Sequence, residues 1–277
     1  MGIPKRTLGK TGVQVTILGL GGEGILRSHG LEREAYDLIN RALDLGITYC
    51  ESARAYDGSE SYYGKALRER RSDIFLTSKS HARYKAGALA HLHETLHSMN
   101  TDYLDLWQVH DVRTGNDIDD IFSPGGAIEA FAEARDAGLV RFVGVTGHLD
   151  PAVICACIER FPFDTVLLPV NPAEPTHRSF ISGVIPLAQE REMGIVGMKV
   201  YLGGRAAQLT GHIGMEQYLR FALSQPVSNI VIGCDDLLQL EENVRFAETF
   251  TPMTKEEQVK IVHHVAPLAR ELMYYKS

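Results

Sequence analysis

The sequence predicts a (β/α)8 barrel, and three observations carry that expectation. Three stretches, "LDLGITYCES" from residue 43, "RDAGLVRFVGV" from 135 and "REMGIVGMKV" from 191, each run from a polar helix end through a glycine into a β-branched strand. Gly46, Gly138 and Gly194 stand where a helix C′ residue takes positive φ at little cost, so each marks a helix-to-strand joint. Short apolar runs alternate with helical patterns about eight times along the chain. The runs use Val, Ile and Leu on both faces, as a parallel sheet covered by helices requires. No linker or low-complexity break interrupts the 277 residues, which therefore read as one barrel domain from residue 1 to residue 277.

Taken in order, "RTLGKTGVQVTI" alternates around a Lys-Thr-Gly turn and predicts an N-terminal hairpin ahead of the barrel. Strands follow near 15–21, 47–51, 74–79, 103–109, 140–145, 165–170, 194–200 and 229–233. Between the first two, Ala35, Leu38, Ile39, Ala42 and Leu45 recur at helical spacing; Leu89, Leu92, Leu96 and Met99 do the same after the third. Trp107 falls inside strand four and reads as packing. Residues 254–272 read as an additional helix after the eighth unit. An open doubly wound sheet is the alternative, but its G-x-G-x-x-G fingerprint is missing, and "LGLGGEG" is followed by no helix that would complete it.

Bulk composition excludes some partners. A formal charge of −7 and a pI near 5.9 argue against a phosphate-backbone partner, which needs a basic face. Four cysteines at 50, 155, 157 and 234 form no C-x-x-C pair and predict free, mostly buried thiols in a reducing compartment. With no run of 18 apolar residues, the expectation is a cytoplasmic protein without a membrane span.

In a barrel of this kind the site lies at the C-terminal ends of the strands. Strand two ends at Glu51 with Tyr56 in the following loop, strand three at Lys79 and strand four at His110. Neighbouring strands lie about 4.8 Å apart, so the four side chains can converge. Singly, Lys79 reads as a solvated strand-end lysine, His110 as a satisfied rim histidine and Tyr56 as a packing aromatic. Together they suit one reaction. A phenol, with a pKa of about 10, is a poor proton donor at neutral pH until an ammonium stabilises its anion and an imidazole orients it, while a carboxylate holds the lysine. Those are the requirements for protonating a carbonyl oxygen as hydride reaches its carbon.

The set "GITYCESARAYDGSESYYGKAL", "IFLTSKS", "TDYLDLWQVH" and "GLVRFVGVTG" resembles the aldo-keto reductase family, in matching order, from "RTLGKTGVQVTILGLGG" to "LLQLEENV". The resemblance implies reduction of a small-molecule carbonyl by a nicotinamide cofactor without metal. Tyr56 would be the general acid, Lys79 would lower its pKa, His110 would orient the carbonyl and Glu51 would anchor the lysine. It further implies cofactor contacts at Gly21 and Gly22, at Thr146, Asn171 and Met198 around the nicotinamide, and at Lys199, Arg205, Gly233, Cys234, Gln239, Glu242 and Asn243 toward the adenosine.

The departures from that pattern are specific. Glu51 replaces an aspartate and reaches about 1.5 Å further. Thr146-Gly147-His148 replaces a Ser-Asn pair, only Asn171 offers an amide in "VLLPVNP", and Met198 stands for a stacking tyrosine. Gly233 and Gln239 occupy positions usually basic in NADPH-preferring members, with Asp235 and Asp236 beside them; Lys199 and Arg205 are the cations available to a 2′-phosphate. NADP(H) is therefore the first expectation and NAD(H) the rival.

Two other readings compete. "HETLH", His93 to His97, fits the H-E-x-x-H zinc-hydrolase pattern, but its helix buries the leucines and leaves the histidines on the outer flank without a third ligand at a familiar spacing. A non-catalytic, nucleotide-binding barrel is favoured by Glu51 and by the altered nicotinamide contacts. The loop "DVRTGNDIDDIFSPGG" is the longest candidate pocket wall, and its acidity biases mildly against anionic substrates.

Overall fold

The structure is a computed structural model and describes residues 2–209 and 213–276. Two short antiparallel strands, β1 (Lys5–Thr7) and β2 (Gln14–Thr16), form the hairpin. Eight parallel strands follow: β3 (Leu18–Gly24), β4 (Tyr49–Glu51), β5 (Phe75–Ser80), β6 (Leu104–Val109), β7 (Val140–Thr146), β8 (Thr165–Pro169), β9 (Gly194–Met198) and β10 (Asn229–Cys234). They close in chain order, β10 pairing with β3, so no barrel strand edge stays open.

The expected joints are present, with one correction. After the helix Glu32–Asp44, Gly46 at φ 89° donates to Leu43 O while Ile47 N donates to Ala42 O. Gly138 at φ 74° repeats the pattern after Ala127–Asp136, through Gly138 N to Arg135 O and Leu139 N to Ala134 O. Both are the paired 6→1 and 5→2 bonds that satisfy a helix's last carbonyls. At the third joint the left-handed residue is Glu192, φ 53°, not Gly194, which already belongs to β9. Gly194 serves close approach instead: a Cβ there would sit 2.7 Å from Leu8 Cδ1. Leu8 is the hairpin's plug, buried among Val15, Tyr49, Phe75, Leu106, Leu167 and Val196 in the barrel interior. The hairpin thus floors the barrel and leaves the opposite end open.

Helices cover the outside. Ala35, Leu38, Ile39 and Ala42 are buried as their spacing requires, whereas Leu45 is only half-buried. In the helix Lys85–Ser98, Leu92 is buried and Leu89 and Leu96 lie at the margin. Trp107 is buried and stacks on Phe131 at 3.7 Å between ring centroids. The expected final helix is broken: Lys255–Val265 gives way to a 3-10 turn at Ala266–Leu268, where Pro267 cannot continue the ladder, and a short turn of helix, Ala269–Leu272, follows. Cys50, Cys157 and Cys234 are buried and Cys155 half-buried, all free. No helix of the described residues is long and apolar enough to cross a membrane.

Candidate active site

Alternation along β5 turns Phe75, Thr77 and Lys79 to one face, and that face is the barrel interior, so Lys79 ends up buried at the open end. An unpaired ammonium there would be costly. Its Nζ contacts Glu51 Oε1, donates to Ser52 O at 2.9 Å and lies 3.3 Å from the Tyr56 hydroxyl. Glu51 is also buried, and its second oxygen accepts from Gly22 N at 2.9 Å. The additional methylene therefore does not prevent the lysine contact.

The turn after β4 delivers the phenol. Tyr56 N donates to Ala53 O, and Arg54 N donates to Lys79 O, so the turn is stitched to β5. Gly22 permits the approach, since a Cβ there would come 2.8 Å from Tyr56 Cδ2. At the end of β6, His110 stands edge-on to Tyr56, with ring centroids 5.8 Å apart at 84°. Its backbone is held by Ser80 O and by Arg83 Nη1, while its Nδ1 is buried without a protein partner among the described residues.

Burial sets the protonation states. It pushes the Tyr56 phenol above its ordinary range, reinforced by the Glu23 carboxylate. It pushes Lys79 well down against the pull of nearby Glu23, and His110 well down, helped by the Lys79 charge. The expected lowering of the phenol by Lys79 is thus not what this state shows: desolvation dominates, and the ammonium is divided between Glu51, Ser52 and Tyr56. Tyr56 is a protonated phenol at neutral pH and His110 a neutral imidazole.

A cavity of about 630 Å³ opens beside this cluster, with Tyr56 and Glu51 at one end and Gln239, Glu242 and Asn243 at the other. Gly21, Met198, Lys199 and Gly233 also line it. The other expected contacts are placed differently. Gly22 serves Glu51. Thr146 is buried, and its hydroxyl accepts from Asp111 N at 2.8 Å. Asn171 is fully buried with both donors and both acceptor positions used: Nδ2 donates to Lys199 O and Tyr275 Oη, and Oδ1 accepts from Ala173 N and Glu174 N. It braces backbone and has no amide valence left for a carboxamide. Arg205 turns away, donating to Glu271 O and stacking on Tyr274. Cys234 is buried against Asn243 Nδ2.

Sequence reasoning missed Glu23, Tyr201 and the pair Gly203–Gly204, all on the cavity wall. The adjacent glycines carried a signal, since both take positive φ, 65° and 81°. It also missed the C-terminal clamp. Tyr275 Oη donates to Glu174 Oε1 at 2.8 Å, and buried Lys276 reaches Glu174 Oε2 at 2.9 Å. The loop after β6 holds a capped helix, Gly115–Phe122, with Asp117 tied to Arg83, and it does not line the cavity. His93 and His97 are exposed on the outer surface of the barrel.

A closed (β/α)8 barrel with a cavity at the C-terminal ends of its strands is the build of a barrel enzyme. The sequence pattern of the Aldo/keto reductase family matches residues 17–213, and the chain belongs to that family. It is 26% identical to an uncharacterized oxidoreductase, YqkF, of Bacillus subtilis, over 94% of this chain and 96% of that one. It is 28% identical to L-galactose dehydrogenase of Arabidopsis thaliana, over 87% of each. The solved holo form of aldo-keto reductase AKR11C1 from Bacillus halodurans superposes with a TM-score of 0.78 at 25% identity, over 95% of this chain and 96% of that one.

Proposed function

We propose that this chain reduces a small aldehyde or ketone to the alcohol with NADP(H), and that Tyr56 donates the proton. The observation that carries the reading is the single contact chain Glu51–Lys79–Tyr56 at the mouth of the cavity. The cavity suits a dinucleotide: Gly203 and Gly204 line its wall without side chains, Lys199 offers a cation to a diphosphate, and Gln239 and Asn243 offer amides at the far end. When bound, the cofactor supplies the hydride.

The chain's own residues manage the proton. Tyr56 keeps its proton at neutral pH and gives it to the carbonyl oxygen as negative charge develops there. Lys79 sits 3.3 Å from the oxygen that is left anionic and stabilises it. Glu51, itself fixed by Gly22 N–H, aims Lys79 Nζ and opposes the burial that favours its neutral form. Neutral His110 presents a ring nitrogen beside the phenol and orients the carbonyl. Asp235 and Glu242 lie on the adenosine end of the cavity wall, which makes NAD(H) the comparison to run.

The test is loss of nicotinamide absorbance when protein and NADPH, or NADH, meet a panel of aldehydes and ketones, with L-galactose among the oxidative substrates. Turnover abolished by Tyr56→Phe supports the assignment; full turnover in that variant overturns it. The longer Glu51 was one ground for a non-catalytic barrel, and its contact with Lys79 speaks against that ground; the other, the altered nicotinamide contacts at Thr146, Asn171 and Met198, is answered by the same turnover assay.

A further inference from the structure

Among the described residues that line the cavity, Lys199 is the one cation, against the carboxylates of Glu23, Glu51, Asp235 and Glu242. Its position is built. It follows β9 at φ 56°, a left-handed conformation that a lysine adopts only under constraint, and its carbonyl is held by Asn171 Nδ2 and Leu202 N. The side chain is largely buried, yet the ammonium is already engaged. Nζ lies 3.1 Å from Glu23 Oε1 and 3.4 Å from Oε2. Glu23 comes from the end of β3, on the far side of β10, so the pair crosses the barrel rim between two walls of the cavity.

Glu23 has a second cation. Arg27 Nη1 stands 3.4 Å from Oε1, on a side chain about half exposed, with its guanidinium 5.1 Å from the Tyr56 ring centroid. One carboxylate is therefore shared between a buried ammonium that faces the cavity and a solvated guanidinium at its mouth. An anion entering the cavity meets a cation whose charge is neutralised by Glu23, and that carboxylate has a second partner to move to.

We propose that Glu23 is an affinity-setting residue that competes with the diphosphate of the dinucleotide for Lys199: on binding, Lys199 passes from the carboxylate to the phosphate oxygens and Glu23 pairs with Arg27. This rests on the cavity being the dinucleotide site. The exchange trades one charge-assisted contact for another, so Glu23 lowers affinity in proportion to the strength of the pair it must give up. It also confines the effect to ligands that carry a diphosphate.

The experiment is equilibrium binding of NADPH, ADP-ribose and adenosine, by calorimetry, to the wild type, Glu23→Gln, Lys199→Met and the double variant, each first shown to keep its thermal midpoint. Glu23→Gln tightens NADPH and ADP-ribose by about fivefold, the size of a partly exposed ion pair, and leaves adenosine unchanged. Lys199→Met weakens the two diphosphates by about tenfold or more, and adding Glu23→Gln to it restores little, because the competition is gone. Unchanged or weaker NADPH binding by Glu23→Gln overturns the inference, since the pair would then persist as a brace in the bound state. Equal tightening in the Lys199→Met background overturns it as well, because Glu23 would be acting through bulk charge. Failure of the wild type to bind any dinucleotide overturns the proposed function and, with it, this inference.

Discussion

Along the β4 to β6 arc of the barrel mouth, Glu51, Lys79 and Tyr56 direct their polar groups at one another beside the cavity, and the His110 ring stands edge-on to Tyr56. Along the β7 to β9 arc, Thr146, His148 and Asn171 direct theirs at the chain. Thr146 holds Asp111 N, His148 Nδ1 meets Tyr275 O at 3.1 Å, and Asn171 reaches Tyr275 across 104 residues of sequence. The same kind of residue, a polar side chain at a strand's C-terminal end, thus joins a polar cluster at the cavity on one arc and braces loop or C-terminal tail on the other. Position in the fold identifies candidates; hydrogen-bonding valence left over after folding decides among them.

The comparison breaks most visibly at Tyr56. Tyr56→Phe is expected to lower kcat by about 10²–10⁴-fold with dinucleotide affinity unchanged, read by steady-state turnover and by calorimetry. Lys79→Met should lose as much activity and also stability, about 3 kcal/mol in urea unfolding, because Glu51 is left charged and buried; Glu51→Gln in the same chain should restore most of that stability but none of the activity.

On the other arc the order inverts. Lys276→Met removes the ammonium from fully buried Glu174 and is expected to cost about 3 kcal/mol in the same measurement while kcat stays near the wild-type value. A large kcat loss without a stability loss would erase the distinction between the arcs.

Acid sharpens it further. His110 is held well below its ordinary pKa by burial, and His81, His91 and His148 are lowered as well. The folded protein keeps these rings neutral at pH values where the unfolded chain protonates them. Stability is thus fully present above about pH 6.5 and falls as the pH drops below it. His110→Asn should flatten that fall in a series of thermal midpoints without removing it. The smallest effect belongs to the outer surface: His93→Ala should change stability by less than about 0.5 kcal/mol and leave turnover unchanged, whereas a measurable activity loss would reopen the H-E-x-x-H motif.

Much of this was legible from residue order. Glycine joints at 46 and 138, strand runs separated by amphipathic helices, and a hairpin turn are local signals, because helix termination and strand alternation depend on neighbours a few positions away. The joint at 192 escaped because a glutamate took the left-handed position and a glycine two residues on drew attention to itself. Asn100, φ 49°, ends the helix Lys85–Ser98 in the same way without any glycine.

Residue order alone carried the barrel, its family and the candidates Glu51, Tyr56, Lys79 and His110, since Glu51 and Lys79 lie near the ends of strands whose period dictates which side chain faces inward, and His110 and Tyr56 follow such strands directly or within one short turn. Only the tertiary structure decided how those residues share one proton and one ammonium, that Asn171 and Arg205 belong to the C-terminal clamp, and that Glu23 faces Lys199 across the cavity. Those outcomes depend on which donors meet which acceptors between segments 23 to 176 residues apart, and no local pattern encodes a contact made that far along the chain.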